Sequence, residues 1–253
     1  MKTILQIVVS VLGLASASTW ASPALAIDGL TANGAITTDY IFRGITQSAK
    51  RPAVQGGLDY SIADSDFAVG TWVSSIDFGD DTNLEWDLFA NYNFSLGPLG
   101  ASIGVIGYVF PYSGIAGPYD FVELNVGTDY NFGIFAWSAK AFWAPSLPTS
   151  YVTLRNGYHP HSEYFLTTGV SVPVAPWLAV AGNLGYQGFS SGKPIGIADD
   201  SYTVWDIGAT VTVDKYSLDL RYTDTSKHTL ASYLDRQFAT GPFYVATFSF
   251  TFP

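Results

Sequence analysis

Cysteine is absent and charge is scarce. A chain of 253 residues without cysteine has no thiolate metal centre, no thiol chemistry and no disulfide framework. Asp, Glu, Lys and Arg together make up 13% of it, half of the ~25% usual in soluble domains. Even so, no run approaches the ~18 consecutive apolar residues of a membrane-spanning helix. Of the two signs, basic residues are the scarcer, 11 against 21 acidic, and the net charge of -10 argues against a nucleic-acid partner, which needs basic surface. A phosphate-cradling loop and a dinucleotide fingerprint are missing too, since "GVIGYVFPYSG" around Gly104 reads as strand and loop with no helix to follow.

What is present is 48% hydrophobic content, enough to build a core or a lipid-facing coat. Residues 1–26 read as a secretory signal: Lys2, an apolar run from Ile4 to Leu14, then small residues ending in Ala24-Leu25-Ala26. Cleavage after Ala26 removes Lys2 and no acid, so the mature domain, residues 27–253, is one unit more negative.

That domain alternates. In "NLEWDLFANYNFSLG", Asn83 to Gly97, one parity carries Leu84, Trp86, Leu88, Ala90, Tyr92, Phe94 and Leu96, and the other carries Glu85, Asp87, Asn91, Asn93 and Ser95, with Phe89 the intruder. A period of two is a strand with one apolar and one acidic face. The same pattern predicts strands at roughly 30–43, 53–62, 66–78, 83–96, 99–110, 119–132, 134–144, 162–174, 177–188, 202–213, 216–223 and 243–252. Connections alternate as well. Asp64-Ser65, Gly97-Pro98, Gly133, Ala175-Pro176 and Asp214-Lys215 are tight turns, while the other connections are longer and rich in Gly, Pro, Ser, Thr and Asp. Of the thirteen prolines only Pro173 falls inside a proposed strand. The expectation is one all-β domain, a single antiparallel transmembrane β-barrel of about twelve strands, with both termini in the periplasm of a Gram-negative bacterium.

Aromatic placement decides which face is outside. One end of the apolar faces carries Tyr40, Phe42, Trp86, Trp143, Tyr164, Tyr186, Trp205, Tyr222 and Tyr244; the other carries Tyr60, Tyr92, Phe94, Tyr130, Phe132, Phe135, Trp137, Tyr216, Phe250 and Phe252. Aliphatic residues such as Leu88, Leu124, Val126, Leu166 and Leu220 lie between, as two membrane interfaces select. A soluble core has no reason to segregate its rings. In strand 66–78 the parity stays open, because Phe67, Val69 and Val73 oppose Trp72, Ile76 and Phe78.

The inward parity then carries Asp39, Asp59, Glu85, Asp87, Glu123, Asp129, Glu163, Asp206 and Asp219 against Arg43, Lys140 and Arg221. Such an excess of acid lining a watery lumen favours cations. The alternative is that the charges pair into a structural network that plugs the lumen, with Asp39 and Arg43 as one pair. Enzyme and metal signals are weak. His159, His161 and His228 all fall in predicted loops, "His159-Pro-His161" with Glu163 is a minimal metal pattern, and Asp80-Asp81 and Asp199-Asp200 are explained by turn composition. No cofactor is implied.

The run "TTDYIFRGITQSAKRPAVQGGLDYSI", Thr37 to Ile62, continuing into "GTWVSSIDF", Gly70 to Phe78, resembles the TorF family of proteobacterial outer-membrane porins. The likeness is most specific in Asp39-Tyr40, Phe42-Arg43-Gly44, Gln47-Ser48, Pro52-Ala53, Gln55-Gly56-Gly57 and Asp59-Tyr60. It implies a porin role, carries over no catalytic residue, and marks Arg43, Gln47, Gln55 and Asp59 as a polar lock at the extracellular mouth. One departure is the final Pro253, where barrel-insertion signals end in an aromatic; Phe248, Phe250 and Phe252 are in register before it. The functional expectation is a passive, cation-leaning channel for small hydrophilic solutes or ions. Its partners are outer-membrane lipid, lipopolysaccharide and the barrel-assembly machinery. The rival expectations are a closed barrel whose long loops bind a partner or surface, and, more remotely, an outer-membrane hydrolase.

Overall fold

The structure, a computed structural model, describes residues 27–79, 81–111, 119–147, 161–189, 201–227 and 239–253. The signal sequence expected over residues 1–26 lies outside them. Fourteen strands follow in order: β1 (Leu30–Thr37), β2 (Ile41–Phe42), β3 (Ile45–Thr46), β4 (Ala53–Ser61), β5 (Phe67–Ser75), β6 (Leu84–Leu96), β7 (Leu99–Val109), β8 (Phe121–Asn131), β9 (Ala136–Leu147), β10 (His161–Ala175), β11 (Leu178–Phe189), β12 (Ser201–Val213), β13 (Tyr216–Thr225) and β14 (Phe243–Phe252). Twelve of them close into one antiparallel barrel, each beside its neighbour in sequence, and the seam is β1 against β14, from Ala32↔Phe252 to Thr37↔Thr247. Closure gives every ladder a partner, which hydrocarbon demands because each unpaired backbone group there costs several kcal/mol. Among the described residues no helix is long and apolar enough to cross a membrane.

Two prolines sit inside strands and both coincide with irregular pairing. The β10–β11 register shifts between Pro173 and Ala175. The β9–β10 register shifts between His161 and Glu163, opposite the end of β9 that contains Pro145. A residue without an amide hydrogen is tolerated there because the ladder is already interrupted.

The outer face is apolar. Trp86 (41% exposed), Trp143 (48%) and Trp205 (36%) point out, as do Leu88, Leu124, Val126, Leu166 and Leu220. Rings meet along both rims: Tyr164 with Tyr186 at 6.0 Å and Tyr222 with Tyr244 at 5.3 Å at the end with long connections, Tyr92 with Phe94 at 5.7 Å and Phe132 with Phe135 at 4.5 Å at the short-turn end. The parity of β5 is resolved: Phe67, Val69 and Val73 face out, and Ile76 and Phe78 beyond the strand are buried.

The first strand departs from expectation. It was expected to run to residue 43 with Tyr40 and Phe42 on the lipid face, but β1 stops at Thr37 and both rings are inside the barrel. Residues 38–52 turn inward, and β2 and β3 form a separate hairpin pairing Ile41 with Thr46 and Phe42 with Ile45. The hairpin closes on Arg43 (φ 50°) and Gly44 (φ 81°), the two positive values a tight type I′ connection requires.

The interior therefore has two halves. Around the hairpin, Ile106, Tyr108, Phe142, Phe165, Tyr202 and Val204 from the wall pack with Tyr40 as a buried cluster, and Phe42 and Ile45 pack against it. Towards the short turns the inward positions are small and polar, among them Asn91, Asn93, Ser102, Gly127, Ser138, Thr167, Asn183 and Thr210, and Asn93 and Asn183 are exposed.

Candidate functional site

The site is built around the hairpin tip. Its base is tied by Asp39, whose Oδ1 accepts from Thr46 Oγ1 and from Ser48 Oγ, while the Tyr40 amide donates to Ser48 Oγ at 2.9 Å. Gly44 is required twice over. Its φ suits no side chain, and a Cβ there would lie 2.3 Å from Thr225 Cγ2 and 2.9 Å from Val204 Cγ2. With its backbone pressed against β12 and β13, the hairpin aims Arg43 across the barrel.

Arg43 Nη2 meets Glu123 Oε2 at 2.7 Å, and Nη1 reaches Glu163 Oε1 at 3.2 Å and Gln187 Oε1 at 3.3 Å. The guanidinium carbon lies 4.6 Å from the ring centroids of Phe42 and Phe165 and 5.2 Å from that of Phe142. Tyr108 also donates to Glu123 Oε2, at 2.9 Å, and Gln187 Nε2 donates to Glu163 Oε2 at 2.9 Å. Glu123 is 0% exposed and Gln187 1%, so the network is dry. Burying charge is costly unless it is paired and hydrogen-bonded, and here one cation is shared between two carboxylates under aromatic cover.

Beside it, Tyr40 Oη donates to Glu85 Oε1 at 3.1 Å. In this part of the interior, Glu123 Oε1, Asp87 Oδ1 and Asn125 Nδ2 are buried without a hydrogen-bond partner among the described residues. In the polar half, Arg221 pairs with Asp206 and with Asp219 (3.0 Å), Asn183 Nδ2 donates to Asp206 at 2.9 Å, and Thr210 donates to Asp219 at 2.7 Å. Asp129 sits opposite Gly100 and Ser138, and Lys140 sits opposite Gly127 and Thr167.

Several site expectations change. Asp39 does not pair with Arg43 and lines no lumen, because it is the clasp of the hairpin base. Arg43 projects from an inserted tip and not from a barrel strand. Arg43, Gln47, Gln55 and Asp59 do not gather: Gln47 Nε2 donates to Ile45 O at 3.1 Å, Gln55 Nε2 to Ser74 Oγ at 3.3 Å, and Asp59 accepts from Asn33 at 3.1 Å. Asp59 stands six residues down β4 from its start, about 20 Å at ~3.3 Å per residue. His159, His228, Asp80, Asp199 and Asp200 fall outside the described residues, and among the described residues no group of His, Cys, Asp and Glu is arranged to hold a metal.

A family model for bacterial proteins of unknown function, Gcw_chp, matches residues 21–252. The chain belongs to that family. No curated protein matches it. Among solved structures, one from work on the in-meso crystallisation of membrane proteins is 13% identical, with a TM-score of 0.50 over 88% of this chain and 83% of that one. The outer membrane channel DcaP of Acinetobacter baumannii is 14% identical, with a TM-score of 0.44 over 87% and 70%. The translocator domain of the autotransporter NalP from Neisseria meningitidis is 10% identical, with a TM-score of 0.46 over 88% of that chain and 89% of this one. At such identities likeness speaks to fold alone, and the first carries it. This Gcw_chp chain is a closed antiparallel β-barrel of twelve strands.

The wall of the Arg43 seat was the part that reading the sequence missed. Phe142, Phe165, Tyr108 and Gln187 lie on the inward parity, where a watery lumen has no use for rings. Their signal in the sequence is interruption of the alternation, of the same kind as Phe89 and Trp72.

Proposed function

We propose that this Gcw_chp barrel is a diffusion channel for small hydrophilic solutes and ions, leaning towards cations, whose long-connection end is constricted by the inserted hairpin. One observation carries the reading. Among the described residues the barrel strands point eight carboxylates inward, Asp59, Glu85, Asp87, Glu123, Asp129, Glu163, Asp206 and Asp219, against two bases, Lys140 and Arg221, with Arg43 added by the hairpin. Eight inward acids are more than three cations neutralise, and a confined acidic interior concentrates counter-cations. The polar half lined by Asn, Ser, Thr and Gly supports the same reading, as does the resemblance of Thr37 to Ile62 to the TorF porins. Termini in the periplasm, and insertion by the barrel-assembly machinery through Phe248, Phe250 and Phe252 ahead of Pro253, belong to it. Transport of this kind involves no covalent step.

The dry packing around Arg43 favours a second reading, a barrel permanently closed at that end whose long connections bind an external partner. Planar-bilayer recording of the purified, refolded protein separates the two. A channel gives discrete conductance steps, with a reversal potential under a salt gradient of the sign for cation preference. A silent bilayer from folded protein removes the channel reading.

A further inference from the structure

The seat of Arg43 has the features of a ligand site. Two carboxylates and an amide oxygen take the two ends of a planar fork, and from the barrel wall the rings of Phe165 and Phe142 lie 4.6 and 5.2 Å from its carbon. A guanidinium is matched by this arrangement in shape, charge and weak hydration better than the compact, strongly hydrated ammonium of lysine. The occupant belongs to the chain itself, and it is carried on an inserted hairpin and not on a barrel strand. Besides the bonds of the Arg43 guanidinium and side-chain packing, residues 40–47 meet the barrel through Tyr40 Oη to Glu85 Oε1 at 3.1 Å, Thr46 N to Ala239 O at 3.1 Å, Asp77 N to Gln47 O at 2.8 Å, and Tyr202 Oη to Arg43 O at 3.0 Å. Arg43 is also held at positive φ, a strained backbone conformation for a non-glycine residue.

A second, independent observation points to a ligand. Arg43 and Tyr108 both use Glu123 Oε2, while Oε1 of the same carboxylate is buried without a partner, and so are Asp87 Oδ1 and Asn125 Nδ2. Native interiors satisfy nearly all such atoms. Asn125 stands two residues beyond Glu123 on β8, and Asp87 two beyond Glu85 on β6, each on the side of the polar half. The unmet capacity therefore leads from the seat towards the vestibule.

We propose that Glu123, Glu163, Gln187, Phe142 and Phe165 form a recognition site for small solutes bearing a guanidinium group, and that Arg43 is its built-in surrogate, displaced when such a solute enters. The proposal deepens the channel reading and rests on it for the route by which the solute arrives, but binding is tested apart from conduction. Wild-type protein, Arg43→Ala and Arg43→Ala/Glu123→Gln, refolded in detergent and checked for folding by circular dichroism, are titrated calorimetrically with L-arginine, L-lysine and the uncharged isostere L-citrulline. Arg43→Ala should bind L-arginine at least tenfold more tightly than wild type does, and at least tenfold more tightly than it binds lysine or citrulline. Adding Glu123→Gln should remove that preference. Should Arg43→Ala fail to fold, Arg43→Lys keeps a cation facing Glu123 and Glu163 and should show an arginine affinity above that of wild type. Equal arginine binding by wild type and the Arg43 variants, or binding indifferent to Glu123→Gln, overturns the proposal. Bilayer recordings of the same preparations keep the two failures distinct. Silence from every variant sinks the channel and leaves the calorimetry to judge the seat, whereas steps that arginine neither blocks nor shifts in Arg43→Ala sink the seat and leave the channel.

Discussion

Tyr202 Oη donates to the backbone carbonyl of Arg43 at 3.0 Å, joining two residues 159 positions apart and fastening the hairpin tip to β12. Tyr202 is buried, so water cannot replace the bond when the hydroxyl is removed. Tyr202→Phe should loosen the tip by about 1–3 kcal/mol, the range for leaving one buried partner unmet. Amide hydrogen exchange over residues 41–46 should quicken about tenfold while exchange in the barrel strands holds steady. Unchanged exchange would mean that packing alone seats the hairpin.

Gly44 and Gly97 provide a matched pair of substitutions. Both have positive φ, 81° and 63°, but a Cβ at Gly44 collides with Thr225 and Val204, whereas a Cβ at Gly97 meets nothing within 4 Å. Gly97→Ala should cost only the conformational term, about 1–2 kcal/mol. Gly44→Ala should add overpacking of about 1–3 kcal/mol to it. Urea unfolding in lipid vesicles, followed by tryptophan fluorescence, reads the difference, and equal losses would show that the hairpin yields without resistance.

Most of the barrel was legible because its cause is local. A strand with lipid on one side and a polar interior on the other must alternate, and tight turns need Gly, Pro or Asp, so β6 could be read from residues 83–96 alone. The trunk of β10 could likewise be read from Tyr164, Leu166, Val170 and Val172 on one parity. The hairpin was not legible because its cause is remote. Tyr40 and Phe42 continue the alternation of β1, and what turns them inward is a seat whose carboxylates lie 80 and 120 residues further on. Arg43-Gly44 is also not among the dipeptides that announce a type I′ turn, since arginine pays for its positive φ only through those distant partners.

The assignment of faces can be tested by moving a charge from one to the other. Leu124 points out from β8, and Ser138 points into the polar half from the adjacent β9. Leu124→Arg should cost about 2–4 kcal/mol, as expected for arginine near the bilayer midplane, and Ser138→Arg less than about 1 kcal/mol. Urea midpoints in vesicles of phosphatidylcholine check the order. The reverse order would turn the barrel inside out.

Among the inward acids, those that water reaches should weigh most in charge selectivity. Glu85 is 3% exposed beneath Tyr40, whereas Asp59 and Asp129 are part-exposed in the polar half. A permeating ion is influenced most by charges it can approach through water, although in a confined low-dielectric lumen the field of a buried carboxylate is also felt. With the hairpin docked, Asp59→Asn/Asp129→Asn should shift the reversal potential under a tenfold salt gradient towards zero, and Glu85→Gln should shift it less. If Glu85→Gln moved the potential as far as the double substitution does, the ion path would have to run past Tyr40 through the hairpin's own packing, and the division of the interior into a sealed half and a wet half would be wrong.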